Sequence, residues 1–198
     1  MAPERAPTGN VETKSDGELA RLVAQGDQQA ATVLIRKYER LVRSFLRKIT
    51  GRFELADDLA QETFVRLLKS AGRYDESYPM RTWLLTIARR LSINHGRRMD
   101  EQVASTEYEG RRSGADGPAQ QVEAADTRAA TRVVLDGALA QLSEPQRLAV
   151  VLFHEQDLSI EDVAKVMEMP VGTIKSHLHR GRSALRKILE PKLEGIPT

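Results

Sequence analysis

Cysteine is absent from these 198 residues, which excludes a disulfide framework and any thiolate metal site. Aromatic residues make up only 5% of the chain, and no segment keeps the strict alternation of a half-buried strand. No apolar run approaches the ~20 residues that span a bilayer. The opening stretch MAPERAPTGNVETKSDG has no apolar core of the kind a secretory signal needs, so a cytoplasmic location is expected. Catalytic signatures are missing too: there is no phosphate-cradling glycine loop, no His-Glu metal motif and no nucleophile elbow. Asp57 and Asp58 are neighbours that point to different helix faces, a poor carboxylate pair. His177 and His179 are two apart, share no helix face and have no third ligand nearby. No catalytic residue, cofactor or metal is therefore expected.

What remains is helical. Leu, Ile and Val recur at three- and four-residue intervals in a chain that is 40% hydrophobic and 29% charged, which predicts an all-α, soluble globular protein. Residues 1–14 read as a polar tail. Ser15 or Asp16 can cap a short helix that ends at Gly26, and Asp27 a longer one with the stripe Ala30, Leu34, Tyr38, Leu41, Phe45 and Ile49, up to Gly51. A third helix is expected from about Leu55 to Lys69, with Leu59, Ala60, Phe64, Leu67 and Leu68 inward. AGRYDESYPM then reads as a loop, and a fourth helix follows from Arg81 to about Arg97. Its inner side is built on Trp83, Leu84, Ile87 and Leu91, with Ile93 a further candidate. From Asp100 periodicity fades and SGADGPAQQ marks a linker, before helical patterning resumes with Val133, Val134, Ala138 and Leu142. Two small helical domains are expected, at 15–99 and 128–190, joined by a flexible linker at 100–127 and followed by a tail at 191–198.

The charge distribution adds a partner class. The net charge is only +2, but Ser77–Met99 holds no acidic residue and five arginines. Met169–Leu189 is likewise free of acids, whereas Asp100–Asp126 carries seven acidic residues against two arginines. Two basic stretches around an acidic spacer suit two contacts with a polyanion, although a basic helix face is also an ordinary solvated surface.

The last third is the most specific segment. Ser159-Ile160-Glu161-Asp162 has the form of a capping box and opens a helix with Val163, Val166 and Met167 inward; Glu168-Met169-Pro170 stops it. A second helix begins near Val171, with Ile174, Leu178, Leu185 and Leu189 available for the core. That leaves Thr173, Lys175, Ser176, His177, His179 and Arg180 on its exposed N-terminal half. This is the arrangement of a helix-turn-helix that reads the DNA major groove, with a helical hairpin of basic outer face as the alternative.

ELADDLAQETFVRLLKSAGRYDESYPMRTWLLTIARRLSINHGRR resembles the second conserved region of bacterial sigma factors. LSEPQRLAVVLFHEQDLSIEDVAKVMEMPVGTIKSHLHRGRSALRKIL resembles the fourth. The pair in this order, joined by a short linker and covering about residues 15–98 and 128–190, is the arrangement of the extracytoplasmic-function (ECF) group. The resemblance implies a transcription initiation factor that binds core RNA polymerase, directs it to specific promoters and assists melting. It implies that Asp58, Gln61 and Glu62, one helix face by their spacing, dock on the polymerase clamp, where spacing alone also allows a solvated acidic patch. It places Tyr74 and Tyr78 in the loop that captures a flipped base of the minus-ten element, as stacking platforms or as packing under the loop. Arg81, Arg89, Arg90, Asn94, Arg97 and Arg98 would hold the phosphates and the duplex-to-single-strand junction, while Trp83 reads as core. Thr173, Lys175, Ser176, His177 and Arg180 match the helix that reads the minus-thirty-five element. The acidic linker would thread toward basic polymerase channels, and an anti-sigma factor is an expected partner. Three departures stand out: Glu168 where the family has Gly, His177 where Arg is common, and Met80 for Phe. If the turn needs φ > 0, Glu168 carries a strain of roughly 1 kcal/mol. The competing reading is a stand-alone regulator that binds its operator without polymerase.

Overall fold

The computed structural model describes residues 11–105 and 127–193, and within them every regular element is helical. After a 3₁₀ turn at Val11–Thr13 come α1 (Asp16–Ala24), α2 (Gln28–Thr50), α3 (Phe53–Ser70), a 3₁₀ turn at Ala71–Arg73 and α4 (Met80–Ser105). The C-terminal part holds α5 (Thr127–Ala140), α6 (Glu144–Val150) with a π-helical turn Val151–Glu155 running on from it, α7 (Ile160–Met167) and α8 (Val171–Leu193). No helix among the described residues is long and apolar enough to cross a membrane.

Local chemistry explains most boundaries. Ser15, not Asp16, caps α1: its Oγ accepts from the Glu18 amide (3.2 Å) and Glu18 Oε2 accepts from the Ser15 amide (2.8 Å), a complete capping box. The α1 end is a Schellman turn, in which the Asp27 amide reaches the Leu22 carbonyl, the Gly26 amide reaches that of Val23, and Gly26 takes φ +90. Asp27 then caps α2 through the Gln29 and Ala30 amides, and Gly51 ends it at φ +66. Asp16 is used differently: it accepts from the Tyr38 hydroxyl (2.6 Å) and pairs with Lys37 (2.7 Å), tying α1 to α2. Burial and then the Asp16 hydrogen bond raise the Tyr38 phenol far above its ordinary pKa, so it stays a donor.

The core of the first part is built on Leu19, Leu34, Phe45, Leu46, Leu67, Met80, Leu84 and Leu85, and that of the second on Leu152, Val163, Val166, Met167, Ile174 and Leu178. Two expectations need correction. Leu68 is exposed, because the buried stripe of α3 runs through Ala56, Leu59, Ala60, Thr63, Phe64 and Leu67, and Leu68 lies about 100° past Leu67. Helix α5 forms where helical patterning resumes, and it turns Ala138 and Leu139 inward while Val133 stays exposed. Helix α4 continues eight residues beyond Arg97 to Ser105. MDEQVAS lacks apolar periodicity but contains no Gly or Pro, so nothing stops the helix. The rest of the expected linker, 106–126, lies outside the described residues.

The two parts pack together, α4 along α7 and the end of α2 against α6 and the π turn. Arginines cap helix ends across this junction. Arg89 Nη1 donates to the Val166 carbonyl near the end of α7 (3.3 Å), and Arg147 Nη2 donates to the Ile49 carbonyl near the end of α2 (3.2 Å). Each places a cation at the negative end of a helix dipole. Lys48, its side chain only 11% exposed, pairs with Asp136 of α5 and with Glu155 (3.2 Å).

Within the C-terminal part α6 and α8 cross closely at Gly181. A Cβ there would meet Val150 Cγ2 at 2.8 Å and the Gln146 carbonyl at 3.4 Å. Gly181→Val is expected to destabilise this half by about 1–3 kcal/mol through overpacking; a lowered thermal unfolding midpoint, followed by circular dichroism, is the check.

Candidate functional site

On α3 the adjacent carboxylates Asp57 and Asp58 serve different ends. Asp57 turns inward and pairs with Arg43 (2.8 Å) and Arg47 (3.2 Å) of α2, which fixes α3 against α2. Asp58 is exposed and makes no ion pair among the described residues. Gln61 and Glu62 are exposed beside it, and Glu62 accepts from Arg66 Nε one turn on (3.0 Å). The three expected docking residues therefore share an outward face with one unneutralised carboxylate.

The loop between α3 and α4 separates its two tyrosines. Tyr74 is half-buried, its ring 5.3 Å from that of Trp83 and its hydroxyl donating to the Tyr78 carbonyl (2.7 Å). Burial, then the charges of Asp16, Glu76 and Asp75, raise its phenol pKa and keep that proton in place. Tyr78 is the outward ring, 42% exposed, with Lys165 Nζ of α7 4.3 Å from its centroid. The loop is fastened further by Asp75, whose carboxylate accepts from the Ser77 amide (2.9 Å), and by Arg21 paired with Glu76 (3.3 Å). Trp83 is half-buried against the core, so it braces Tyr74.

Arg90, Asn94, Arg97 and Arg98 fall at i, i+4, i+7 and i+8 on α4 and are all exposed, one polar stripe. Arg81 is exposed at the other end of the helix. Arg89 does not join the stripe: its side chain is 13% exposed and lies under the end of α7. Arg90 reaches Glu168 as well, through Nε (2.9 Å) and Nη2, and Arg89 Nη1 stands 3.7 Å from the same carboxylate. The hydrogen bond from Arg90, and the charges of Arg90 and Arg89, hold the Glu168 carboxyl below the usual range.

The helix-turn-helix forms as expected. Ser159 Oγ accepts from the Asp162 amide (3.1 Å), while Asp162 returns to the Ser159 hydroxyl (2.8 Å), not to its backbone. Glu168 takes φ +55, ψ +42 in a Schellman turn built like that at Gly26: the Met169 amide bonds the Ala164 carbonyl and the Glu168 amide that of Lys165. On α8, Thr173, Lys175, Ser176 and Arg180 are exposed, and the Ser176 hydroxyl donates back to the Gly172 carbonyl (3.0 Å). His177 is half-buried, with Nδ1 shielded and unpartnered. Sequence reasoning passed over Arg182. It aligns with Lys175 and His179 at i, i+4 and i+7, and that spacing was the available signal. Its guanidinium is steadied over the Phe153 ring (5.3 Å), and its Nε donates to His154 Nε2 (3.0 Å). Burial, and then the Arg182 charge, lower the His154 pKa and keep that nitrogen an acceptor.

Comparison with known proteins agrees with this layout. The family model for sigma-70 region 2 matches residues 34–101, and that for sigma-70 region 4 matches residues 132–185. The chain is 31% identical over 188 residues to RNA polymerase sigma-H factor of Pseudomonas aeruginosa, covering 91% of this chain and 96% of that one. It is 30% identical over 173 residues to the ECF RNA polymerase sigma factor SigW of Bacillus subtilis (84% and 92%), and 33% identical over 183 residues to the ECF RNA polymerase sigma factor SigC of Mycobacterium tuberculosis (90% and 96%). Among solved structures it is similar to the sigma factor RpoE of Bartonella quintana, seen in complex with the anti-sigma factor NepR, at TM-score 0.66 and 26% identity over 79% of this chain and 94% of that one. CnrH, seen with the cytosolic domain of CnrY, shares the fold at TM-score 0.65 and 20% identity (90% and 99%). Two helical parts in this order, matched by region 2 and region 4 and by full-length relatives, establish the family: the chain belongs to the ECF group of RNA polymerase sigma factors, which bind core polymerase and direct initiation at specific promoters.

Proposed function

We propose that three faces of the chain divide the work of initiation, and that the chain contributes binding energy and no covalent chemistry of its own. Asp58, Gln61 and Glu62 dock on the polymerase clamp; the observation that carries this is the exposed, unneutralised Asp58 beside an Asp57 that α2 neutralises. The loop and α4 engage the minus-ten element. Tyr78 is the stacking ring, Tyr74 the brace beneath it, and Arg81, Arg90, Asn94, Arg97 and Arg98 hold backbone phosphates. Arg89, although on the same helix, reaches DNA only after leaving α7. Thr173, Lys175, Ser176, His177 and Arg180 read the minus-thirty-five element from the N-terminal half of α8, with Arg182 added from the basic stripe.

The setting is the cytoplasm, where core polymerase works. An anti-sigma factor is a fitting further partner, because the Bartonella relative is held by one and the basic faces here offer an acidic protein the same footing.

Promoter-dependent run-off transcription with purified core polymerase tests the assignment. Asp58→Arg places a cation in a charge-recognising face and should cost roughly 2–5 kcal/mol of core affinity, abolishing promoter-dependent RNA with helical content unchanged; intact transcription would show the docking face to be elsewhere. Tyr78→Ala should remove about 1–3 kcal/mol of stacking and slow open-complex formation, read by permanganate reactivity of melted thymines, while core binding stays normal. Lys175→Ala should weaken use of the upstream element by about 1–3 kcal/mol in duplex binding by the holoenzyme, again with core affinity unaltered.

A further inference from the structure

A cleft of about 1020 Å³ is walled by α2 and the start of α3 on one side and by α5 and α6 on the other. None of the residues assigned above to polymerase or DNA lines it. Eight cations do, against only two carboxylates, Glu39 and Asp136. On α2, Arg36, Arg40, Arg43 and Arg47 fall at i, i+4, i+7 and i+11, one stripe about 16 Å long at 1.5 Å per residue. Part of the charge is met locally: Glu39 and Asp57 pair with Arg43, Asp57 with Arg47, and Asp136 and Glu155 with Lys48. Arg36, Arg40, Arg52, Arg132 and Arg147 make no ion pair among the described residues. Arg147 Nη2 caps α2 at the Ile49 carbonyl, but its Nε is shielded from water and has no acceptor. Like charges gathered from two walls repel one another, and a shielded donor without an acceptor is costly. An anion in the cleft offsets both.

The lining narrows the class of anion. Guanidinium forks match phosphate oxygens in pairs, and a stripe of them suits a row of phosphates better than a single small ion. Phe53, at the start of α3, lines the same cleft with 63% of its surface exposed, and the Arg47 guanidinium stands 5.2 Å from its ring centroid. Val133, Leu139 and Ala140 give the α5 wall an apolar strip. Several phosphates at one end of a molecule and a flat aromatic ring at the other describe a nucleotide. We propose that the cleft binds a nucleoside polyphosphate, its phosphates held by arginines of both walls and its base stacked on Phe53. Stacking on a single ring tolerates any base, so the site selects for phosphate number more than for base identity. The cleft is separate from the docking and DNA-binding residues, so failure of this site leaves their assignment standing.

Fluorescence anisotropy of methylanthraniloyl-ATP, titrated with the full chain without divalent metal, measures the affinity. Physiological ionic strength screens diffuse attraction beyond about 8 Å. Unlabelled ATP should displace the probe from one site per chain. Inorganic tripolyphosphate, which lacks the stacking base, should need about tenfold more, and adenosine should not compete. Arg40→Ala and Arg132→Ala, one on each wall, should each weaken binding about tenfold or more. Lys69→Ala removes the same charge outside the cleft and should leave binding unchanged. Phe53→Ala should bring ATP down to the level of tripolyphosphate. All four substituted side chains are exposed, so the fold is retained, with circular dichroism as the control. Equal losses in Arg40→Ala and Lys69→Ala would show diffuse attraction to a basic surface and overturn the site. A loss in Arg40→Ala with none in Arg132→Ala overturns it too, because one wall then suffices. ATP and tripolyphosphate competing equally overturns the assignment to a nucleotide.

Discussion

Helix α7 ends at Glu168 in the left-handed conformation, and much of the C-terminal architecture depends on that reversal. The Ala164 and Lys165 carbonyls receive amides from beyond the helix end, Pro170 follows, and α8 leaves at an angle that buries Ile174 and Leu178 against Val163, Val166 and Met167. The same residue then carries a carboxylate to the arginines of α4, so one backbone choice sets the geometry of the helix-turn-helix and places an acid against a helix of the first part.

Charge is used here at several levels of burial, and the level decides its role. Asp57, clamped by Arg43 and Arg47, is structural; Asp58, one residue on and about 100° around the helix, is left for solvent or a partner. Arg89 and Arg90 divide in the same way, one beneath α7 and one at its rim. Neighbouring residues of identical type acquire different functions because a helix turns them toward different surroundings. In α8 the mechanism is support from outside: Arg182 is steadied by His154 and Phe153 from the π turn, which limits the entropy it loses on meeting a phosphate.

Much of this was legible in the residues. The caps at Ser15, Asp27 and Ser159 and the stops at Gly26, Gly51 and Pro170 are local chemistry, dictated by which side chain sits beside which unpaired amide or carbonyl. The α4 stripe Arg90, Asn94, Arg97 and Arg98 is simple periodicity. The misreadings at Leu68 and at the end of α4 share a cause. Apolar character and the loss of periodicity report whether a residue suits a core, not which arc of a helix another element covers, nor whether a polar helix continues.

The sequence by itself determined the helices, most of their ends, the two basic stretches, the helix-turn-helix and the family, because these follow from contacts within a few residues or from patterns along one face. Only the tertiary structure decided which of two adjacent acids is free, that Tyr74 braces while Tyr78 is presented, and that Arg89 lies under α7 while Arg182 is held by His154. Those outcomes rest on partners 4 to 77 positions away in the chain. Propensity and periodicity act locally; burial, pairing and charge depend on what else arrives at the same place.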